Sequence, residues 1–288
     1  MFYFGKYIDT FESAFRQMLS YHGVGSLEHI DCIGKRCFGF LIGGNVRDWF
    51  RPAVSIRMAI ELISEKTGLD LFVAEEKTDP EAVLEILQKG AVMGPVRKGI
   101  AVTEVRHLYY HGDSHYLFVA EEEGKGFQMT DPEGYPAIPI DRKLLLEILS
   151  LDRPSILYIN AEKPKIYKEI DYDMILKEGL AFHDSFQKNT EHMIQTAVSQ
   201  YEDTAGNRLA LQYGLMNYVL QINKSFRLAE FCGYMDKEMR NIYQEQLDAV
   251  YCINRDRNVQ ELPKLVREIW ELLKAMVNKG GNPMLSSV

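Results

Sequence analysis

The chain has 288 residues, of which 46% are hydrophobic and 26% charged, a balance typical of a folded protein with one large or two ordinary domains. Its formal net charge of -8 argues against nucleic acid as the main partner, because binding a phosphate backbone requires clustered Lys and Arg. The sequence predicts neither a signal peptide nor an apolar run of the roughly 18 residues that a membrane span needs. Its four cysteines form no CxxC pair, so we expect free thiols in a cytoplasmic protein that binds no membrane.

The first half of the chain mixes helical patterns with strand-like runs. Apolar periodicity and Gly or Pro breakers predict helices over residues 9–22, 54–67 and 80–89. Short apolar runs predict strands over residues 69–74, 91–93, 116–120, 127–130 and 156–159. The sequence Glu-Gly-Lys-Gly at 123–126 predicts a hairpin between two of these strands. A leading helix followed by an antiparallel sheet gives an α+β fold.

The second half is predicted to be entirely helical. The helices are expected over residues 173–189, 191–202, 208–223, 236–253 and 262–277. The polar segment 160–165 contains a proline and is the expected boundary, so we predict one domain over residues 1–162 and a helical domain over 166–280. An apolar helix face around residues 213–219 could make the protein a homodimer.

Thr10, His115 and Asp131 are the residues most suited to chemistry. Thr10 lies at the start of the first predicted helix, where backbone N–H groups and the helix dipole stabilise negative charge. His115 precedes the strand 116–120, and Asp131 ends the strand paired with it in the predicted hairpin. Neighbouring antiparallel strands would bring these two side chains together, so the carboxylate could orient the imidazole. A base with an orienting group is what a nucleophile at a helix N-terminus requires.

Several segments of the sequence resemble peptidase C39-like proteins of the papain-like fold. In that family the nucleophilic cysteine lies thirteen residues before a glycine that closes the first helix, and here Thr10 stands thirteen residues before Gly23. Residues 114–119 (SHYLFV) and 126–132 (GFQMTDP) resemble the family's histidine strand and its closing Asp-Pro. The chain also resembles the butirosin biosynthesis protein H-like family, through residues 26–40 and 87–92 and through its helical second half.

This resemblance implies a papain-like N-terminal domain with an antiparallel sheet, followed by an all-helical C-terminal domain. It also implies an acyltransferase that acts on a carrier- or CoA-linked acyl thioester, or a related amide, in a natural-product or peptide biosynthetic pathway. Thr10, His115 and Asp131 would then form a Thr-His-Asp variant of a Cys-His-Asp site. The expected partner is an acyl carrier protein or a small-molecule thioester, with no cofactor and no metal. Contacts to the substrate are expected from Asp9, Gly39, Phe40 and Tyr110.

Departures from the family's pattern leave a second interpretation open. Threonine does not ionise appreciably at neutral pH, so Thr10 would depend on His115 as a general base. Asp9 stands where the butirosin-type pattern has a histidine, and Phe4 and Gly5 occupy the upstream place of a glutamine that could donate to an oxyanion. The alternative is therefore a non-catalytic pseudoenzyme that binds a peptide, a carrier-bound intermediate or a partner protein in the papain-like cleft.

Other motifs favour structural explanations. A spacing of four residues, which could suit zinc on a helix, separates His107, His111 and His115. Gly112 interrupts that run before a strand-like segment, so the imidazoles would not align. Residues 39–45 lack the spacing of a phosphate loop and are interpreted as a flexible loop over the site. Cys32 and Cys37 are interpreted as small buried hydrophobes, with a displaced nucleophile as the alternative for either.

Overall fold

A computed structural model describes the chain in segments that form two compact units. The first unit comprises residues 1–30 and 60–169, and the second comprises residues 31–59 and 170–288. The described residues are 10–25, 27–43, 45–46, 49–74, 78–96, 115–130, 138–160, 168–256 and 258–279. Among them, no helix combines the length and the apolar character needed to cross a bilayer.

A six-stranded antiparallel sheet forms the centre of the first unit. Its strand order is β3-β8-β4-β5-β6-β7. The strands are β3 (Leu71–Val73), β4 (Ala91–Val96), β5 (His115–Glu122), β6 (Gly126–Thr130), β7 (Ile138–Pro139) and β8 (Ser155–Ile159). The β5–β6 hairpin has the predicted turn, with Glu122 paired to Gly126 and the left-handed residue Gly124 at its tip. The α+β class predicted from the sequence is confirmed, since the described residues place antiparallel strands among helices in the first half and helices in the second.

Helices cover the sheet of the first unit. They are α1 (Thr10–Tyr21), α4 (Pro80–Gln88) and α5 (Arg142–Asp152), and the C-terminal part of α3 (Ile56–Thr67) also belongs to this unit. Apolar side chains of α4 and α5, including Leu84 and Leu145, pack in one cluster with Leu117 and Val119 of β5. Helix α1 packs against β5 and β4. It contacts strand residues other than Leu117 and Val119: the ring of Tyr21, for example, lies against Phe118 at a centroid distance of 5.3 Å.

The second unit combines four long helices with a short hairpin. The hairpin consists of β1 (Phe40–Ile42) and β2 (Trp49–Pro52), which pair antiparallel and follow the single-turn helix α2 (Ile30–Ile33). The long helices are α6 (Tyr172–Ser199), α7 (Ala205–Phe231), α8 (Lys237–Asp256) and α9 (Leu262–Lys279). Helix α9 buries a single stripe, as its sequence periodicity predicts, whereas α7 is buried on several sides.

Two predictions about the second half need correction. The predicted break between residues 189 and 191 is wrong, because α6 runs without interruption through it. Thr190 is 4% exposed inside that helix, and its hydroxyl donates to the carbonyl of Phe40 at 3.4 Å, so tertiary packing outweighs the weak helix propensity of Asn-Thr. The predicted helix over 208–223 is eight residues too short at its C-terminus, since α7 continues to Phe231.

The division into units differs from two consecutive domains. The predicted boundary at 162–166 lies outside the described residues, and the units change over at Glu169–Ile170. In addition, residues 31–59 belong to the second unit although they lie within the predicted N-terminal domain. The hairpin accounts for this assignment, because β1 packs on α6 and β2 packs on α7.

Candidate functional site

Thr10 begins α1 and lies against the start of β5. Its side-chain oxygen accepts a long hydrogen bond from the backbone N–H of Tyr116, at 3.4 Å. The residue is half-buried, at the first position of the helix. The structure therefore places the predicted nucleophile, Thr10, in contact with Tyr116, the residue that follows His115.

Aromatic contacts hold α1 in this place. Phe11 is fully buried, and its ring meets the edge of the Tyr116 ring at a centroid distance of 5.3 Å. At the other end of the helix, the imidazole Nε2 of His22 lies 2.9 Å from the carbonyl oxygen of Gly90. Because both ends are anchored to the sheet, the hydroxyl of Thr10 is positioned by packing as well as by its own hydrogen bond.

Two charged residues of α1 take part in ion pairs with each other and with Glu28. The guanidinium of Arg16 contacts Glu12 at 2.7 Å and Glu28 at 2.8 Å. Burial opposes the charge on Arg16, but the hydrogen bonds that its guanidinium donates to Glu28 and Glu12 outweigh this effect and raise the pKa of Arg16. The hydrogen bond with Arg16 lowers the pKa of Glu28. These ion pairs connect α1 to Glu28, so we assign the three charged groups a structural role.

The surroundings of the Thr10 oxygen favour negative charge. An N–H group of β5 points at it, and the N-terminal end of α1 adds the positive end of the helix dipole. A hydroxyl that accepts this hydrogen bond keeps its own proton available for donation to a base. The same geometry also fits a purely structural role, in which the hydroxyl fastens the helix to the strand.

The other predicted residues of the first unit are described only in part. His115 begins β5, and its backbone is paired with Val96 of β4, while its side chain lies outside the described part of the structure. Asp9, Tyr110 and Asp131 also lie outside the described residues. Thr130, the residue before Asp131, is paired with Phe118, so β6 runs beside β5 towards the His115 end as the hairpin predicted.

Gly39 and Phe40 belong to the second unit. The predicted flexible loop at 39–45 is wrong at its start, because residues 40–42 form β1. The Phe40 ring is 1% exposed and packs on Tyr218 and Trp270, at centroid distances of 5.4 and 6.2 Å. A Cβ at Gly39 would lie 2.9 Å from the Phe182 ring, so close packing explains this glycine. Contact of either residue with substrate stays a prediction that their packing does not support.

A buried charged group in the second unit was missed from the sequence. Asp31 is 1% exposed, and its carboxylate pairs with Arg36 at 3.2 Å and with the ammonium group of Lys224. Lys224 lies on α7, 193 residues away along the chain, and no local pattern connects them. Pairing with two cations offsets the cost of removing the carboxylate from water.

His183 of α6 is a second buried polar residue that the sequence did not reveal. Its Nδ1 lies 3.1 Å from the carbonyl oxygen of Phe38, and its ring stacks on Trp270 at a centroid distance of 3.7 Å. Burial lowers its pKa to about 4, although the hydrogen bond with Phe38 acts in the opposite direction. The ring is therefore neutral at physiological pH, with Nδ1 as the donor to the carbonyl.

Comparisons with protein-family models, with curated proteins and with solved structures found no significant match to this chain. Any assignment of function must therefore rest on the residues and on the geometry around Thr10.

Proposed function

We propose that the first unit is a papain-like, peptidase C39-like domain that transfers acyl groups through Thr10. The observation that carries the proposal is the contact between the Thr10 hydroxyl, at the N-terminus of α1, and the backbone of Tyr116, next to His115. A nucleophile at a helix start beside a strand that begins with histidine is the arrangement expected of a papain-like site.

In this mechanism the Thr10 oxygen attacks the carbonyl carbon of a carrier- or CoA-linked thioester. His115 takes the hydroxyl proton and delivers it to the leaving thiolate, and Asp131 orients the imidazole. An amine of the acceptor then attacks the ester on Thr10, the C–O bond to Thr10 breaks, and His115 carries the amine proton to the leaving Thr10 oxygen. The N–H of Tyr116 and the helix dipole favour the charge that develops on the Thr10 oxygen as its proton leaves.

The mechanism sets one geometric requirement. The His115 imidazole must reach the face of β5 on which Tyr116 and Phe118 contact α1. Leu117 and Val119, by contrast, pack with α4 and α5. A catalytic His115 must therefore depart from the regular alternation of the strand at its first residue.

Intact-mass spectrometry after incubation with pantetheine thioesters tests the proposal. We expect a mass gain equal to the acyl group that is lost in Thr10→Ala and retained in Ser20→Ala, a matched control because Ser20 is an exposed hydroxyl on the same helix. Thr10→Cys should acylate faster, since a thiolate is the better nucleophile. A folded Thr10→Cys protein that gains no mass with any thioester would exclude acyl transfer at this position.

The second candidate function is non-catalytic binding of a peptide, a carrier-bound intermediate or a partner protein by the same domain. The observation that favours it is that the Thr10 hydroxyl already has a structural partner in the Tyr116 N–H. This candidate predicts a thermal shift with a thioester that remains intact, and the same shift in Thr10→Ala and His115→Ala. Loss of the shift in those variants together with acylation of the wild type would reject it.

A further inference from the structure

Two cysteines of the second unit hold their sulfur atoms in contact. Cys32 lies in α2 and Cys37 in the turn that follows, and their Sγ atoms are 3.2 Å apart. Both side chains are fully buried, and neither is in a disulfide. A disulfide bond is about 2.05 Å long, so the sulfur atoms would have to approach by about 1.2 Å to form one. We propose that Cys32 and Cys37 are a redox-active dithiol that a hydroperoxide converts into an intrachain disulfide.

Hydrogen bonds between the two thiols and to residues of α7 hold the two cysteines in place. The Cys37 thiol donates to the Cys32 sulfur, and the Cys32 thiol donates to the carbonyl of Lys224 at 3.5 Å. The hydroxyl of Ser225 donates to the carbonyl of Cys37 at 3.1 Å. Both cysteines are thus fastened to adjacent residues of one helix, which holds each sulfur within reach of the other.

The turn that joins the cysteines is also fixed. The backbone N–H of Arg36 donates to the carbonyl of Asp31 at 2.8 Å, and that of Lys35 donates to Cys32 at 3.0 Å. A Cβ at Gly34 would lie 2.9 Å from the Cβ of Ala59, so the turn packs closely on α3. Because the turn is already closed, forming the disulfide requires a small side-chain adjustment and little backbone movement.

The chemistry balances with one hydroperoxide, such as hydrogen peroxide. One sulfur attacks a peroxide oxygen, so an S–O bond forms while the O–O bond breaks, and the released hydroxide leaves as water with the thiol proton. The second sulfur attacks the sulfenic sulfur, the S–S bond forms, and the oxygen leaves as a second water. Two thiols are oxidised by two electrons, and the peroxide is reduced to two molecules of water.

Burial selects the oxidant. The side chains of Cys32 and Cys37 are 0% exposed, so the oxidant must diffuse into a packed interior. Hydrogen peroxide is close to water in size, whereas glutathione disulfide is a pair of tripeptides.

The test uses the full-length chain carrying Cys232→Ser and Cys252→Ser, which leaves only the two buried thiols. After treatment with hydrogen peroxide we expect a mass loss of about 2 Da, and no thiol that reacts after unfolding without reductant. Dithiothreitol should restore both thiols. Adding Cys37→Ser should abolish the mass loss. Oxygen addition without cross-linking would overturn the proposal.

Peptide mapping of the wild-type protein makes the test independent of how the variants fold. Trypsin cleaves after Lys35 and Arg36, so a disulfide between Cys32 and Cys37 would connect two separate peptides. We expect this linked pair only after peroxide treatment, in protein blocked with N-ethylmaleimide before digestion. A link that involves Cys232 or Cys252 instead would overturn the assignment. Equally fast oxidation by glutathione disulfide would overturn the restriction to a small oxidant.

Discussion

The interiors of the two units differ in the side chains that they contain. Around the sheet of the first unit, α4 and α5 pack a cluster of apolar side chains, among them Leu84, Leu145 and Val119. The interior of the second unit includes the ion pairs of Asp31 and the neutral ring of His183. Stability of both interiors should therefore depend on packed volume, and stability of the second should depend in addition on keeping charged and polar groups paired.

The largest effect is expected from breaking the buried ion pairs. Asp31→Ala would leave Arg36 and Lys224 without the carboxylate that both contact, so we expect a loss of about 3–5 kcal/mol in the free energy of unfolding. Urea denaturation measures this loss. The control is Glu81→Ala, which removes the exposed ion pair with Arg142 and should cost at most about 1 kcal/mol. Equal losses in the two variants would show that burial does not raise the cost of breaking the Asp31 ion pairs.

A cavity in the apolar cluster is the corresponding test for the first unit. Leu145 is 0% exposed on α5, so Leu145→Ala should cost about 2–5 kcal/mol through lost burial and an unfilled cavity. Leu151→Ala lies on the same helix at 64% exposure and should change stability by less than about 0.5 kcal/mol. Chemical denaturation of both variants gives the comparison. If Leu145→Ala were no more harmful than Leu151→Ala, volume would not govern this interior.

The pH dependence of stability reports on His183. Its pKa is lowered to about 4, below the unfolded value of 6.5, so only the unfolded chain binds this proton between these pH values. This contribution to the free energy of unfolding should be complete above pH 6.5 and should be lost as the pH drops towards 4, by about 3.5 kcal/mol in all at about 1.4 kcal/mol per pKa unit.

Two variants isolate this contribution. His183→Phe preserves a ring that can stack on Trp270 and should flatten the pH dependence, as measured by urea denaturation from pH 4 to 7. His192→Phe, at an exposed position of the same helix, should retain the wild-type slope because it leaves His183 in place. An unchanged slope in His183→Phe would show that other groups control the acid transition.

The smallest changes in stability are expected from substituting two helical glycines of the second unit. A Cβ at Gly179 would lie 2.3 Å from the buried ring of Phe38, so Gly179→Ala should destabilise by about 1–3 kcal/mol. A Cβ at Gly206, in the first turn of α7, would meet no atom of the described residues beyond its own helix within 4 Å, so Gly206→Ala should stabilise by about 0.4–1 kcal/mol. Thermal denaturation should move the two variants in opposite directions, and shifts of the same sign would contradict close packing at Gly179.

Sequence patterns predicted the helices and turns that are determined by a few neighbouring residues. The Pro at the start of α4 and the Gly-rich turn between β5 and β6 act within a few residues, and both elements formed where expected. Helix α5 was not predicted, although Asp141 caps it by accepting from the N–H of Leu144 at 2.7 Å. Its short leucine-rich pattern did not distinguish helix from strand.

Contacts between residues far apart along the chain could not be predicted from the sequence. The assignment of residues 31–59 to the second unit depends on partners such as Lys224, which no spacing rule connects to Asp31. In the candidate site, the helix carrying Thr10 and the strand beginning at His115 were predicted as neighbours. The hydrogen bond from the Tyr116 N–H to Thr10 was not predicted, because every non-proline residue carries the same backbone donor and the sequence does not distinguish one from another.

The interleaved course of the chain has a consequence for synthesis on the ribosome. Residues 31–59 are translated more than one hundred residues before the helices of residues 170–288 that complete their unit. Until then Phe38, Trp49 and Phe50, each at most 2% exposed in the finished fold, lack the helices that complete their burial. A fragment cut near residue 169 would retain these aromatic side chains without their helices. A soluble version of the first unit alone would require the removal of residues 31–59 as well, with a new connection between residues 30 and 60.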